Sequence, residues 1–531
     1  MISRVVRNSP SCRRFCRRSS ISNNNYTIHA IPNKQVSSPD RYSFSTSTAT
    51  ATATASKNEV DEYDIIIVGG GVVGIVLARN LSRIVPSNTR ILLLERGNDP
   101  TTTSSSNGIP NPRSYAINPF AWKYVLGENL LQQNKDKICP YQQMQIWEST
   151  GPATLLFDTH DIPNNDTTNV DYLGAMVEDS TLVSHLWKDC HTYNQNQQSN
   201  TTTTNPITLH PNSNIQNITL NQHTQNDEGV TLQYTTNTTN TNTHSDAMVV
   251  KSKVLIAADG ANSYVRNALN MPVLSYGYGR KALTCTVQLD SPMPPIAFQR
   301  MEPNGPIALL PTYNPNYATI VWSTTPQISN KYQQQQQQQQ MLIKTLNQHL
   351  QSGPQIPTSN HTYNTAFVSQ LTAGLTMKQW NDRQGFIVPP KIINIEGKVL
   401  SFDLKVQQAR NYTLDQHNVF LMGDAAHTIH PMAGQGLNLG LNDVHSFLTL
   451  YQQSLESGMN ISSTHRIQYE QERQLAVSAM QLGIHTLHEL YRFSPNSIIG
   501  NLNSLGMNLL NTATPIRSKL AQIATGIHHS T

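Results

Sequence analysis

The sequence predicts an α/β protein, α+β overall, with a Rossmann-like nucleotide-binding domain, a second domain on an antiparallel sheet, and C-terminal helices. Three observations carry that expectation. An apolar, β-branched run at 63–68 ends in Gly69-Gly70-Gly71 and leads into a helical pattern. Alternating, Pro-rich segments dominate from 276 to about 406. From Asp443 onward the pattern is helical to the end of the chain.

The first 57 residues stand apart. They hold nine of the 37 Lys/Arg and one of the 33 acids, Asp40, so the remaining 28 basic and 32 acidic residues leave the rest mildly acidic. A Ser- and Arg-rich start with no apolar run has the composition of a mitochondrial transit peptide, and the Ala-Thr repeat at 49–55 reads as a linker. An acidic body gives no reason to expect nucleic acid as a partner. Five cysteines without metal-ligand spacing fit a reducing interior and hold no metal. No run of about 18 apolar residues predicts a transmembrane helix.

From 61 to 190 the chain reads as the first part of the nucleotide-binding domain. The strand at 63–68 is followed by a helix over 72–84, with Val73, Val76, Leu77, Leu81 and Ile84 on its apolar side, and by a strand at 91–95. A second helix is expected over 180–190. Residues 192–247 are dense in Asn, Thr and Gln and read as a low-complexity insertion in an antiparallel meander, with 230–234 its clearest strand. Residues 248–275 return to the first domain, through a buried strand ending at Asp259-Gly260. The β domain spans 276–406, with strands at 307–310 and 318–322 and a Gln-rich surface loop at 333–340. Residues 407–450 complete the first domain, and 451–531 are C-terminal helices.

The chemistry sits in two glycine-rich loops. Gly69-x-Gly71-x-x-Gly74 lies between strand and helix, where a backbone can approach a pyrophosphate at the helix N-terminus. Glu95, at the end of the next strand, is placed to accept ribose hydroxyls. Far downstream, Gly423-Asp424 follows a buried strand, and Gly434-Gln435-Gly436-Leu437-Asn438 opens a helix. The Asp424 carboxylate can face a polyol, and the helix end suits a ring system that becomes negative on reduction. One unit alone does not separate FAD from NAD; two such loops suggest one long cofactor, FAD. His427 and His430 offer acid–base chemistry, but with no third metal ligand in view they read better as residues that shape the loop.

With Asp259-Gly260-Ala261-Asn262-Ser263 and Arg266 between these loops, the chain resembles the flavin monooxygenases related to p-hydroxybenzoate hydroxylase. Within that group it is most similar to the branch that hydroxylates the ring in ubiquinone biosynthesis. The stretches that carry this are Arg113-Ser114-Tyr115-Ala116-Ile117, Met144-Gln145-Ile146-Trp147, Phe298-Gln299-Arg300-Met301, and 426–440 around His430-Pro431. The resemblance implies that Gly69, Gly71, Gly74 and Glu95 hold the ADP half of FAD and that Arg113 lies by the flavin and its phosphates. It places Asp259 near the pyrophosphate, Gly423 and Asp424 at the ribityl chain, and Pro431, Gly434, Gly436 and Asn438 along the isoalloxazine. It also implies that the reduced flavin meets O₂, forms a C4a-hydroperoxide and hydroxylates a polyprenylated phenol, with no obligatory side-chain nucleophile. Further implications are a ferredoxin and its reductase as electron donors, a multi-protein coenzyme Q synthesis complex, and a peripheral place on the matrix side of the inner mitochondrial membrane. Residues 498–510, apolar at helical spacing, are the candidate for that contact or for simple packing. Two alternatives stay open: an NAD(P)H-dependent hydroxylase of a small soluble phenol, and a non-catalytic scaffold subunit. Arg280 and Asp403 depart from the family's Gln and Pro, in the domain expected to shape the ring pocket.

Overall fold

A computed structural model describes residues 60–526, except 103–107, 150–152, 163–170, 200–206, 222–228, 237–246, 334–336, 355–385, 415–416, 431–433, 459, 462, 491–517, 520 and 523–524. The expected transit segment 1–57, Pro431 and the apolar stretch 498–510 therefore lie outside the described residues.

In chain order the elements begin with β1 Asp61–Val68, α1 Val72–Ile84, β2 Ile91–Leu94, β3 Ser114–Ile117, α2 Glu128–Gln133, β4 Ile138–Tyr141, β5 Gln143–Glu148 and β6 Thr154–Asp158. There follow β7 Gly174–Glu178, α3 Asp179–Ser199, β8 Ile207–His210, β9 Ser213–Leu220, β10 Val230–Thr236, β11 Met248–Ala257 and α4 Tyr264–Ala268. The β domain holds β12 Val273–Leu289, β13 Ile296–Met301, β14 Ile307–Pro311, β15 Tyr317–Thr324, α5 Pro326–Gln333, α6 Gln337–Leu350 and β16 Ile392–Ala409. The chain closes with β17 Val419–Leu421, β18 His427–Thr428, α7 Gln435–Glu456 and α8 Ser463–Leu490.

The first sheet runs β8-β2-β1-β11-β10-β9, with β17 also against β11. Its inner pairs are parallel, and Ile65, Ile66 and Ile67 of β1 are fully buried, as expected for a strand covered on both faces. Each such side chain contributes roughly 1.5–3 kcal/mol of burial. The second sheet runs β18-β16-β12-β15-β14-β13-β5-β6, and β3-β7-β4 form a third.

Five expectations change. The tract 192–247 is not one insertion: β8 pairs in parallel with β2 and extends the first sheet, while β9 and β10 form the expected meander with β11. Sparse apolar residues are enough, since Val230, Leu232 and Tyr234 alternate into the core. Strands β5 and β6, expected in the first domain, belong to the second sheet through parallel pairing of β5 with β13. That contact is non-local and leaves no local pattern. The glutamine run is mainly helical: α5 ends at Gln333 and α6 begins at Gln337, in keeping with the fair helix propensity of Gln. The expected 180–190 helix is longer, Asp179–Ser199. The long strands β12 and β16 also cross the expected borders at 276 and 406, so that β16 reaches β18 beside the second glycine loop.

Candidate functional site

The first loop is shaped by two close approaches. Gly69 has φ +104°, and a Cβ there would sit 2.4 Å from the Ala258 carbonyl oxygen. A Cβ on Gly74 would sit 1.9 Å from the Gly69 oxygen, so only glycine lets α1 start this near the turn. Gly71 differs: a Cβ there would meet nothing within 4 Å. It stands at the N-terminus of α1, which has no side-chain cap and no acid in its first turn. Free N–H groups and the positive dipole end thus open onto vacant space in front of Gly71.

Glu95 closes the loop from the side. Its Oε2 accepts the Gly70 amide at 2.5 Å and its Oε1 the Gly97 amide at 2.6 Å. The buried Trp187 of α3 donates its indole N–H to the Gly70 carbonyl at 2.8 Å. Gly70 is thereby held through both its backbone groups, and the sequence pattern gave no hint of the tryptophan's part.

The second loop meets the first at Val73, in the opening turn of α1. A Cβ on Gly423 would lie 3.1 Å from Val73 Cγ2, and one on Gly440 would lie 2.9 Å from the same atom. Helix α7 starts at Gln435 after its N-cap Gly434, again without a side-chain cap or an acid in its first turn. The second loop and the second turn of α7 therefore pack on the first turn of α1. Asp424 follows Gly423 directly in the second loop. Its side chain is exposed, yet the protein crowding around it raises its carboxyl pKa; His427 and Arg113 oppose the rise and Asp443 adds to it. An accessible carboxylate that is also desolvated lies in a cleft.

Arg113 faces the same cleft. Its Nε lies 3.2 Å from Asp179 Oδ2, and Tyr115 donates to Asp179 Oδ1 at 2.9 Å. The Arg113 pKa is raised, by Tyr115 first and then, against the effect of burial, by Asp179 and Asp424. Asn438 is buried and its amide is spent on the backbone: its Oδ1 accepts the Asn118 N–H at 3.0 Å and its Nδ2 donates to the Ala116 carbonyl at 2.9 Å. It clamps the start of α7 against β3 and so sets where that helix end points. Asp259 caps α4, accepting the Tyr264 and Val265 amides at 2.7 and 3.2 Å, with its Cα packed against Gly69. The neighbouring Arg266 donates to the Ala425 carbonyl at 2.8 Å and ties this turn to the second loop.

His427 is buried, its Nε2 2.6 Å from Asp443 Oδ2. The ring of Tyr278 meets that of His430 edge-on at 5.0 Å. Both histidines thus sit within the packing of the loop. The two departures in the β domain do not meet each other. Arg280 donates to the Asn304 carbonyl at 2.6 Å, whereas Asp403 pairs with Lys281 at 3.1 Å with 78% of its side chain exposed. Arg280 lies opposite Leu404 and Lys281 opposite Asp403, so the pleat sends them to opposite faces.

The residues present fit a dinucleotide-length cofactor. Two bare helix ends, the open space at Gly71 and the desolvated Asp424 together offer anion and hydroxyl recognition along one cleft.

Comparison with known proteins agrees. A family model described as "FAD binding domain" matches residues 135–373 and 393–481, more than half of the chain. The chain is 28% identical over 494 residues to the ubiquinone biosynthesis monooxygenase COQ6, mitochondrial, of Dictyostelium discoideum, covering 88% of this chain and 92% of that protein. It is 26% identical over 479 residues to the Homo sapiens protein of the same name, covering 87% and 92%. Among solved structures it shares its fold with p-nitrophenol 4-monooxygenase PnpA from Pseudomonas putida DLL-E4, at a TM-score of 0.58 and 15% identity, covering 88% of this chain and 99% of that one. The same holds for PqsL, a probable FAD-dependent monooxygenase from Pseudomonas aeruginosa, at 0.56 and 15%, covering 84% and 100%.

Proposed function

The chain belongs to the FAD binding domain family, and from that premise we propose that it is an FAD-dependent monooxygenase of ubiquinone biosynthesis, hydroxylating the aromatic ring of a polyprenylated phenol. The observation that carries the reading is the packing of Gly423 and of Gly440 on α7 against Val73 in the first turn of α1, with the exposed Asp424 next to Gly423 and both helix N-termini without a side-chain cap.

In this reading the α1 N-terminus, with Gly69, Gly71 and Gly74, receives the pyrophosphate charge of FAD. Glu95 retains lone pairs for ribose hydroxyls while its oxygens hold the loop amides. Asp424 accepts from the ribityl hydroxyls, with Arg113 across the cleft. The α7 N-terminus, flanked by Pro431, Gly434 and Gly436 and aimed by Asn438, presents N–H groups where negative charge collects on reduction. FAD, when bound and reduced, supplies the activation of O₂ that ring hydroxylation needs. The protein's share is to bind, orient the phenol beside the β domain and keep water out. Asp259 acts on this site through the backbone beside Gly69 and not as a proton-transfer group.

Deleting or silencing the protein tests the reading. A polyprenylated phenol one hydroxyl short of its successor is expected to accumulate, identified by mass spectrometry. The absence of any such intermediate would sink the assignment. Resemblance to mitochondrial relatives also supports a ferredoxin and its reductase as donors and membership of a coenzyme Q synthesis complex. Rapid flavin bleaching by NADPH alone, accelerated by a free phenol, would instead favour the soluble hydroxylase.

We further infer a peripheral place on the matrix side of the inner mitochondrial membrane. No helix among the described residues is long and apolar enough to cross a membrane. A set of exposed apolar side chains supports surface contact: Leu274 and Tyr276 at the start of β12, and Leu475 and Leu482 on α8. The two elements adjoin, since Gln408, paired with Leu274, donates to Ser478 at 3.1 Å, and the Tyr276 and His485 rings lie 6.3 Å apart. Changing Leu475→Ser with Leu482→Ser is expected to reduce co-flotation with anionic vesicles several-fold without loss of flavin. Unchanged flotation would remove this surface from the membrane reading.

A further inference from the structure

We propose that Asp443, gripped by Arg473, is a positioning residue for the FAD site: it sets where Asp424 stands without itself reaching the cofactor. The inference rests on the reading of the cleft as the FAD site.

Asp443 lies on α7 and is completely buried. One oxygen, Oδ2, accepts the Gly423 N–H at 2.8 Å and lies 2.6 Å from His427 Nε2. Gly423 and His427 bracket Asp424, so a single carboxylate holds both ends of the short turn that carries it. The turn begins in a left-handed conformation, Gly423 having φ +56°. The other oxygen, Oδ1, accepts from Arg473 Nε at 2.7 Å. Arg473 also donates to the Leu439 carbonyl at 3.3 Å, and Tyr469, one turn earlier on α8, donates to the Leu421 carbonyl at 2.9 Å. Helix α8 thus braces the end of β17 and the body of α7 together.

None of the three side chains faces the cleft. The relative exposures are 1% for His427, 0% for Asp443 and 5% for Arg473. They act on a ligand only through the turn. Burial pushes the Asp443 carboxyl upward, but His427 and Arg473 outweigh it and hold the pKa below the usual carboxylate range. A buried charge engaged in this way is costly to break, because removing one partner leaves the others desolvated and unpaired.

The test compares purified holoenzyme carrying Asp443→Asn, Asp424→Asn, both changes together, or Arg473→Lys. Flavin retention on dilution and the visible circular dichroism of bound flavin are the readouts. Asp443→Asn is expected to release flavin about tenfold faster and to alter the dichroism of the flavin still bound. In the Asp424→Asn background the same change adds little, because both act through one carboxylate. Arg473→Lys keeps the charge but not the guanidinium geometry, and is expected to shift retention the same way by a smaller factor. It decides the question even where Asp443→Asn yields no soluble protein. Unchanged retention and dichroism in Arg473→Lys and Asp443→Asn, or full additivity with Asp424→Asn, would overturn the proposal. If Asp424→Asn itself holds FAD as the parent does, the reading of the site fails, and the proposal with it.

Discussion

Gly74→Ala is expected to yield protein without FAD and with a lowered thermal midpoint, whereas Gly71→Ala is expected to lose FAD affinity with its fold intact. The two glycines share one motif but meet different surroundings. The added methyl at Gly74 would lie 1.9 Å from the Gly69 carbonyl oxygen, a backbone atom that cannot rotate away. Either α1 shifts or the loop opens, at a cost of about 1–3 kcal/mol and toward the upper end because both partners are main chain. At Gly71 the methyl meets no protein atom within 4 Å, and the backbone there has φ −66°, which alanine adopts freely. Stability should stay within about 1 kcal/mol of the parent, the scale of an N-cap substitution. The methyl does occupy the space in front of the helix end, so FAD affinity should drop about tenfold, or ~1.4 kcal/mol. Flavin absorbance of the purified proteins and thermal melts with and without added FAD read both effects. Parent-like FAD binding by Gly71→Ala would mean that the open space is not the cofactor's.

Asp424→Asn should separate function from stability. Burial raises this carboxyl above its unfolded value, so the folded state holds the proton more tightly and the ionised form costs stability. The cost is complete above the folded pKa and fades as pH falls through it toward the unfolded value. At neutral pH, asparagine removes the penalty, so the melting midpoint without FAD should equal or exceed the parent's. The same change weakens the acceptor offered to cofactor hydroxyls, and flavin retention is expected to fall at least about tenfold. Opposite movements of stability and binding mark a residue kept for its ligand. A drop in melting midpoint with flavin retained would instead make Asp424 a structural carboxylate.

The first βαβ unit could be read nearly to the residue. Helix 72–84 was expected and is found, because one apolar stripe, a glycine start and flanking buried runs all point the same way. The strand register was not legible. Pairing of β5 with β13 and of β8 with β2 joins segments far apart in the chain, and in β8 only a few apolar residues mark the core side. Composition hid β9 because polar outward positions dominate a strand exposed on one face, whereas 230–234, with its alternating Val230, Leu232 and Tyr234, is legible as β10.

For the site, the sequence by itself offered the two glycine-rich loops, the acids Glu95 and Asp424, and with Asp259-Gly260 the resemblance to flavin monooxygenases. Those features are local: a glycine spacing, a strand before it and a helix after it. Only the tertiary structure decided that both loops touch Val73, that Trp187 holds Gly70, and that Asp443 with Arg473 holds the turn bearing Asp424. It also showed Asn438 clamping α7 against β3. The physical reason is that a buried polar side chain takes its role from whatever donor or acceptor the fold brings to it, and that partner is chosen by packing across the whole chain.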